Sequence, residues 1–330
     1  MVAGVVLGLH FADQTKRLSP TALARIRAAA ARAVARSTTS SSSSTSAPAS
    51  STTTTTTVPP LTLPETTSAV HFSSKIVPIS YGGLARDYYV EQPEPTPGRR
   101  LPIVVDLSGS YILAQHEATR SDFAQVAGPA ILVYPQAYEL YWDAGACCGI
   151  PAQDGIDDVG FVAAVVAQVR RTVPDASQGP VYLAGYSNGG KLAFRVACED
   201  PSLVAAVAVY GAVESMDCPK FTPLPLLELA GTADPEVDIG PGGTPVVQYG
   251  FTEPTVTQEV DDYLTADGCT AATQSLTAGS LSLTRWPSCA GGRMVALGLY
   301  SGQTHDWPQR QGATPSGQQV MWDFFVSVGA

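Results

Sequence analysis

The segment Val181–Lys191, VYLAGYSNGGK, sets Ser187 between Gly185 and Gly189, with an apolar run before it and the helix-forming KLAFRVACED after it. A serine at a sharp strand-to-helix turn holds its hydroxyl exposed above a sheet, and small residues two before and two after let the strand and helix backbones nearly touch. The helix N-terminus that follows favours negative charge beside that hydroxyl. Nucleophilic attack by Ser187 on a carbonyl is the chemistry this arrangement suits. The segment also matches the opening of a phosphate-binding loop, Gly185-x4-Gly190-Lys191, but such a loop needs a hydroxyl at position 192 for Mg²⁺ and Leu192 has none.

A serine hydroxyl is a weak nucleophile until a base takes its proton. In a sheet protein with this turn the partners follow in the order serine, acid, histidine. Of His10, His71, His116 and His305, only His305 lies beyond Ser187, in SGQTHDWP just after the apolar run MVALGLY. The acid must follow a late strand, and LPLLELAGTADPEVD places Asp234 in the turn after one, with Asp238 as the next choice. Asp217, Asp261, Asp262 and Asp267 fall in segments that read as loops or helix surface. Asp234 would fix the tautomer of His305 and stabilise its imidazolium without taking the proton. Two backbone N–H groups must meet the developing oxyanion. Asn188 supplies the first; Ser108-Gly109-Ser110-Tyr111 supplies the second, from Ser110 or Tyr111. Tyr111, Trp142 and Trp307 are candidate substrate-binding faces for an aromatic acyl group or a polymer. This chemistry requires no metal and no cofactor.

The elements that would position these groups alternate between β-rich and helical runs. Leu101–Leu107, Ala130–Tyr134, Val181–Ala184, Ala205–Tyr210, Leu224–Leu229 and Met294–Leu299 are apolar runs without polar alternation, Asp106 and Glu228 being their only charged residues, as expected of strands buried on both faces. Val70–Pro78 and Arg86–Gln92 read as an opening antiparallel hairpin turning near Gly82-Gly83. Asp157–Val173 has helical spacing, and Asp157 and Asp158 suit its capped first turn better than catalysis. The expected fold class is therefore α/β, a three-layer α/β/α sandwich with a mostly parallel central sheet.

Composition separates three regions. Ser37–Thr57 is Ser and Thr broken only by Ala47, Pro48 and Ala49, with nothing apolar to offset the entropy of ordering it. Residues 37–69 are thus expected to be a Ser/Thr/Pro-rich linker, and residues 70–330 one catalytic domain, its fold beginning near His71. In residues 1–36, Met1–Ala12 is a short apolar stretch without a basic leader, and Ser19–Arg36 reads as an Arg-bearing, Ala-rich, targeting-like helix with Pro20 just inside its start. No stretch reaches the length of a membrane span. The first 70 residues carry six Lys or Arg against two Asp or Glu, and the remainder thirteen against twenty-seven. An acidic globular part repels phosphate backbones, which argues against nucleic acid as a partner. Six cysteines, all beyond residue 140, suit three disulfides and an oxidising, extracellular setting. Cys269 with Cys289 is the preferred pair, and the neighbours Cys147 and Cys148 are not expected to bond each other.

WDAGACCG (Trp142–Gly149), DDVGF (Asp157–Phe161), GYSNGG, GTADP (Gly231–Pro235), the late pair Cys269 and Cys289, and HDWP (His305–Pro308) occur in that order. From about Val70 onward the chain resembles the extracellular polyhydroxybutyrate depolymerase and feruloyl esterase family of the α/β-hydrolase superfamily. The resemblance implies the α/β-hydrolase fold and a triad of Ser187, Asp234 and His305. Members of that family usually carry His-Gly where this chain has Ser108-Gly109; the retained glycine implies that the turn survives. A secreted, monomeric serine hydrolase of carboxylic esters is expected, acting on feruloyl or acetyl esters of polysaccharide or on hydroxyalkanoate oligomers. A polymer-binding protein on a hydrolase scaffold is the alternative, and nucleotide binding a more distant one.

Overall fold

Aliphatic runs with no polar alternation have no face to offer water, and in the computed structural model they occupy the middle of one ten-stranded sheet. The structure describes residues 70–95, 98–240, 247–248, 250–270 and 273–330; the expected N-terminal segment 1–36 and linker 37–69 lie outside the described residues.

The strands are β1 (Phe72–Tyr81), β2 (Leu84–Pro93), β3 (Ile103–Leu107), β4 (Ile131–Pro135), β5 (Val181–Tyr186), β6 (Val204–Tyr210), β7 (Leu226–Gly231), the short pair β8 (Val247–Gln248) and β9 (Phe251–Thr252), then β10 (Gln274–Ala278), β11 (Leu281–Trp286) and β12 (Val295–Tyr300). The helices are α1 (Ala114–Ser121), α2 (Phe123–Val126), α3 (Gly149–Asp154), α4 (Asp158–Thr172), α5 (Asn188–Glu199), α6 (Val256–Ala266) and α7 (Gly317–Ser327). The sheet order is β1-β2-β4-β3-β5-β6-β7-β12-β11-β10. Strands β4, β3, β5, β6, β7 and β12 run parallel, and an antiparallel hairpin flanks them at each edge.

Each face of the sheet has its own core. Val162, Val165 and Val169 of α4, Leu192 and Val196 of α5 and Val260 of α6 pack on one face. Ala118 of α1, Phe123 of α2 and Met321, Phe324 and Phe325 of α7 pack on the other. The result is the three-layer α/β/α sandwich with a mostly parallel sheet expected from the sequence. Among the described residues no helix is long and apolar enough to cross a membrane.

Two structural features concern the cysteines and Asp158. The disulfides are Cys198–Cys218, Cys269–Cys289 and Cys147–Cys148. The last differs from the expectation that the neighbours Cys147 and Cys148 do not bond each other, and the peptide between them is cis. Asp157 caps α4, its carboxylate accepting from the Gly160 N–H at 2.8 Å. Asp158 is instead fully buried, paired at 2.6 Å with Arg86 of β2, and it accepts the Asp143 N–H at 2.8 Å. The Arg86 guanidinium also lies 3.5 Å above the Phe161 ring. Removing one partner of a buried ion pair strands the other charge, so Asp158→Ala should cost about 3–5 kcal/mol. Equilibrium urea unfolding checks this, and a loss below 1 kcal/mol would show that Arg86 finds water or another acceptor.

Candidate active site

Strand β5 ends at Tyr186 and α5 begins at Asn188, so a single residue makes the turn. That residue, Ser187, has φ 52° and ψ −122°, a conformation that costs a non-glycine residue roughly 1–3 kcal/mol and persists only where the surroundings enforce it. They do so here by close contact. A side chain at Gly189 would run into the Leu107 carbonyl of β3, and a Cβ at Gly185 would lie 2.8 Å from the Gly190 Cα. The Ser187 N–H donates to the Tyr210 carbonyl at 3.1 Å, tying the turn to β6.

Asp234 follows β7 and His305 follows β12, and the two loops are joined backbone to backbone. The Thr232 N–H donates to the Tyr300 carbonyl and the Ala233 N–H to the Gln303 carbonyl, each at 2.9 Å. His305 Nε2 then lies 2.8 Å from Ser187 Oγ, and His305 Nδ1 lies 2.8 Å from Asp234 Oδ2. The other Asp234 oxygen accepts the N–H groups of Glu236 at 2.8 Å and Val237 at 3.2 Å, which fixes the carboxylate in its own turn. The next choice, Asp238, lies further along the same loop and accepts the Gly240 N–H at 2.9 Å. The structure thus brings Ser187, His305 and Asp234 together in one hydrogen-bonded chain.

Gly211, at the end of β6, forms the floor under the His305–Asp234 pair. Its φ is 61°, and a Cβ there would sit 3.1 Å from the His305 ring and 3.3 Å from Asp234 Oδ2. Sequence reasoning passed over it, because only the fold carries β6 between the strands of the serine and the acid. Gly211→Ala should lower kcat by about 10²-fold, the scale of a 1 Å misplacement. Steady-state kinetics beside a thermal melt check this; wild-type kcat in a folded variant would remove Gly211 from the site.

As the first residue of α5, Asn188 has an N–H with no intrahelical acceptor. Its side chain braces the neighbouring loop: Oδ1 accepts the Trp142 N–H at 2.8 Å and Nδ2 donates to the Trp142 carbonyl at 3.2 Å. The Tyr111 N–H donates to the Leu140 carbonyl at 2.8 Å, which leaves Ser110 as the candidate second donor of the two weighed from sequence. The close turn after Ser108 requires Gly109, since a Cβ there would meet the Tyr186 ring at 2.7 Å.

The aromatic side chains divide. Tyr111 is 73 % exposed, held outward by a backbone φ of 64°, with its ring edge-on to Tyr141 at 4.7 Å. Trp142 and Trp307 are 0 % and 4 % exposed, which corrects their assignment as substrate-binding faces. Trp142 Nε1 donates to the Ser108 carbonyl at 2.9 Å, so this ring braces the Ser108-Gly109 turn. Trp307 Nε1 donates to Glu117 Oε1 at 2.8 Å, and its ring packs on Tyr186 and Tyr210. Lys191, the cation of the phosphate-loop reading, is buried and paired with Glu253 at 2.5 Å.

No family model matches the chain. It is 28 % identical over 233 residues to a protein carrying an esterase name, NocK of Nocardia uniformis subsp. tsuyamanensis, covering 64 % of this chain and 66 % of that one. It is 27 % identical over 172 residues to feruloyl esterase B of Piromyces equi, covering 50 % of this chain and 31 % of the relative. The chain therefore spans less than two thirds of the length of either. Among solved structures, an acetyl xylan esterase from Aspergillus awamori superposes with a TM-score of 0.54 at 15 % identity, over 77 % of this chain and 99 % of that one. A mostly parallel central sheet with flanking helices, together with that superposition, makes this chain an α/β-hydrolase in fold, and it is similar in sequence to proteins named as esterases.

Proposed function

We propose that the chain is a secreted serine hydrolase of carboxylic esters that works through an acyl-enzyme, with residues 70–330 as its catalytic domain. The observation that carries this reading is the pair of 2.8 Å hydrogen bonds linking Ser187 Oγ, the His305 ring and Asp234 Oδ2. Ser187 Oγ attacks the ester carbonyl as His305 Nε2 takes its proton, and Asp234 holds Nδ1–H and offsets the imidazolium charge. The N–H groups of Asn188 and Ser110 receive the oxyanion. The alcohol leaves with the proton from His305, and water then attacks the acyl-enzyme by the same relay. None of these steps uses a metal or cofactor.

Feruloyl and acetyl esters of polysaccharide are the proposed substrates, in keeping with the names of the feruloyl esterase and acetyl xylan esterase to which the chain is similar. Hydroxyalkanoate oligomers follow from the motif resemblance. Exposed Tyr111, one residue beyond the proposed oxyanion donor, is the face offered to the acyl group or polymer. Export is supported by the three disulfides.

The test is turnover of p-nitrophenyl acetate and butyrate by the full chain, followed by methyl ferulate, acetylated xylan and hydroxybutyrate oligomers. Saturable hydrolysis of the nitrophenyl esters is expected. A folded protein with no turnover on any of these esters would favour the polymer-binding alternative.

A further inference from the structure

The loop carrying His305 is held from below and from one side. From below, two tyrosines at the ends of β5 and β6 reach its backbone: Tyr186 Oη donates to the His305 carbonyl at 2.6 Å and Tyr210 Oη to the Thr304 carbonyl at 2.7 Å. Burial pushes the Tyr186 hydroxyl up to about 12, so it stays a donor. From the side, α1 presents Glu117 and Arg120, three residues apart on one helix face. They grip the two residues that follow the histidine: Arg120 Nη2 meets Asp306 Oδ1 at 2.8 Å, and Glu117 Oε1 accepts from Trp307 Nε1 at 2.8 Å.

The two grips differ in strength. Asp306 is largely exposed, and an ion pair open to solvent contributes little. Glu117 and Trp307 are both buried, so losing the acceptor would leave an indole N–H unsatisfied in an apolar setting. The carboxylate itself sits beside Asp106, buried on β3. A buried carboxylate beside a second buried acid is costly to keep, and the group that Glu117 satisfies, the Trp307 indole, belongs to the histidine loop.

We propose that Glu117 is a positioning residue: through Trp307 it sets the height and tilt of the His305 imidazole over Ser187, and so governs the proton-transfer step rather than substrate binding. The inference rests on the reading of Ser187 and His305 as nucleophile and base. In the full chain, Glu117→Leu removes the acceptor while keeping volume, Glu117→Gln keeps an acceptor oxygen, and Trp307→Phe removes the donor. Glu117→Leu should lower kcat on p-nitrophenyl butyrate by about 10- to 100-fold, the scale of a sub-ångström to 1 Å shift at the reacting atoms. KM should change less than twofold. Glu117→Gln should recover most of the loss, and adding Trp307→Phe to Glu117→Leu should cost nothing more.

A second readout needs no substrate: the low-field proton resonance of His305 Nδ1–H should shift or broaden in Glu117→Leu and return in Glu117→Gln. It also serves if Glu117→Leu folds poorly, since Trp307→Phe alone should then move it. An unchanged kcat and an unmoved resonance in the folded variants would overturn the inference, as would a loss confined to KM or an additive double variant. A wild-type chain without ester turnover would sink the functional reading instead, and the resonance would still decide the positioning.

Discussion

Ser187→Ala should abolish ester hydrolysis, lowering kcat by about 10⁴- to 10⁶-fold, because the serine and its base act as one unit and neither is useful without the other. The same substitution should leave the melting temperature unchanged. The hydroxyl makes one hydrogen bond, to a histidine ring that Asp234 and the loop backbone already hold. The unfavourable φ of 52° is retained by alanine, so no strain is released. Ser187→Gly separates the two effects: it loses the same activity but, freed of the Cβ, should unfold at a higher temperature, by the part of the roughly 1–3 kcal/mol strain that exceeds glycine's greater unfolded-state entropy. Kinetics and calorimetry on the three proteins check this together. Residual activity within tenfold of wild type in the alanine variant would show that another nucleophile operates.

The second large effect concerns acidity. Burial pushes the Glu117 carboxyl up to about 7 from 4.5 and the Asp323 carboxyl up to about 6 from 3.8. Burial raises Asp106, Glu228 and Glu259 in the same direction, with like charge from Glu117 adding to Asp106 and from Glu259 to Glu228. A carboxyl whose folded pKa is raised binds its proton more tightly folded than unfolded. Its contribution is therefore fully present below the unfolded value and is lost as the pH rises through the folded one. For Glu117 that window runs from pH 4.5 to about 7, and the loss is about 3 kcal/mol. The protein should melt roughly 5–10 °C higher at pH 5 than at pH 8, given a few degrees per kcal/mol at this size. Glu117→Gln should flatten part of the slope by stabilising the protein at pH 8 and not at pH 5. A melting temperature that is level or rising from pH 5 to pH 8 would contradict the assignment.

Much of this site could be read before the fold was known, because the strongest signals are local. The elbow at Ser187 packs strand, turn and helix into eleven residues, and elimination left His305 as the base. Each buried parallel strand is a short, mainly apolar run without polar alternation, with buried Asp106 on β3 and Glu228 on β7 as exceptions. Other features were missed although they carry local signals. The β10–β11 hairpin alternates exposed and buried residues around Gly279-Ser280, a two-residue turn pattern. Helices α6 and α7 begin with Thr255-x-x-Gln258 and Ser316-x-x-Gln319, both capping sequences. What no local reading reaches is burial. Trp142 and Trp307 have the chemistry of substrate platforms, and only the tertiary fold turns them inward. The partner of Trp307 lies 190 residues earlier in the chain.

One residue ties several of these parts together. Tyr186 precedes Ser187, holds the His305 carbonyl, packs against the Trp307 ring, receives the Arg120 guanidinium at 5.3 Å, and leaves room at Gly109 for nothing but hydrogen. Substitutions at Gly109, Arg120, Trp307 and the histidine loop all press on that one ring, so their effects should be strongly non-additive. A lineage remodelling the oxyanion turn would alter, in the same mutation, which histidine-loop sequences remain tolerable, and adaptation to a new ester would have to move through linked rather than independent changes.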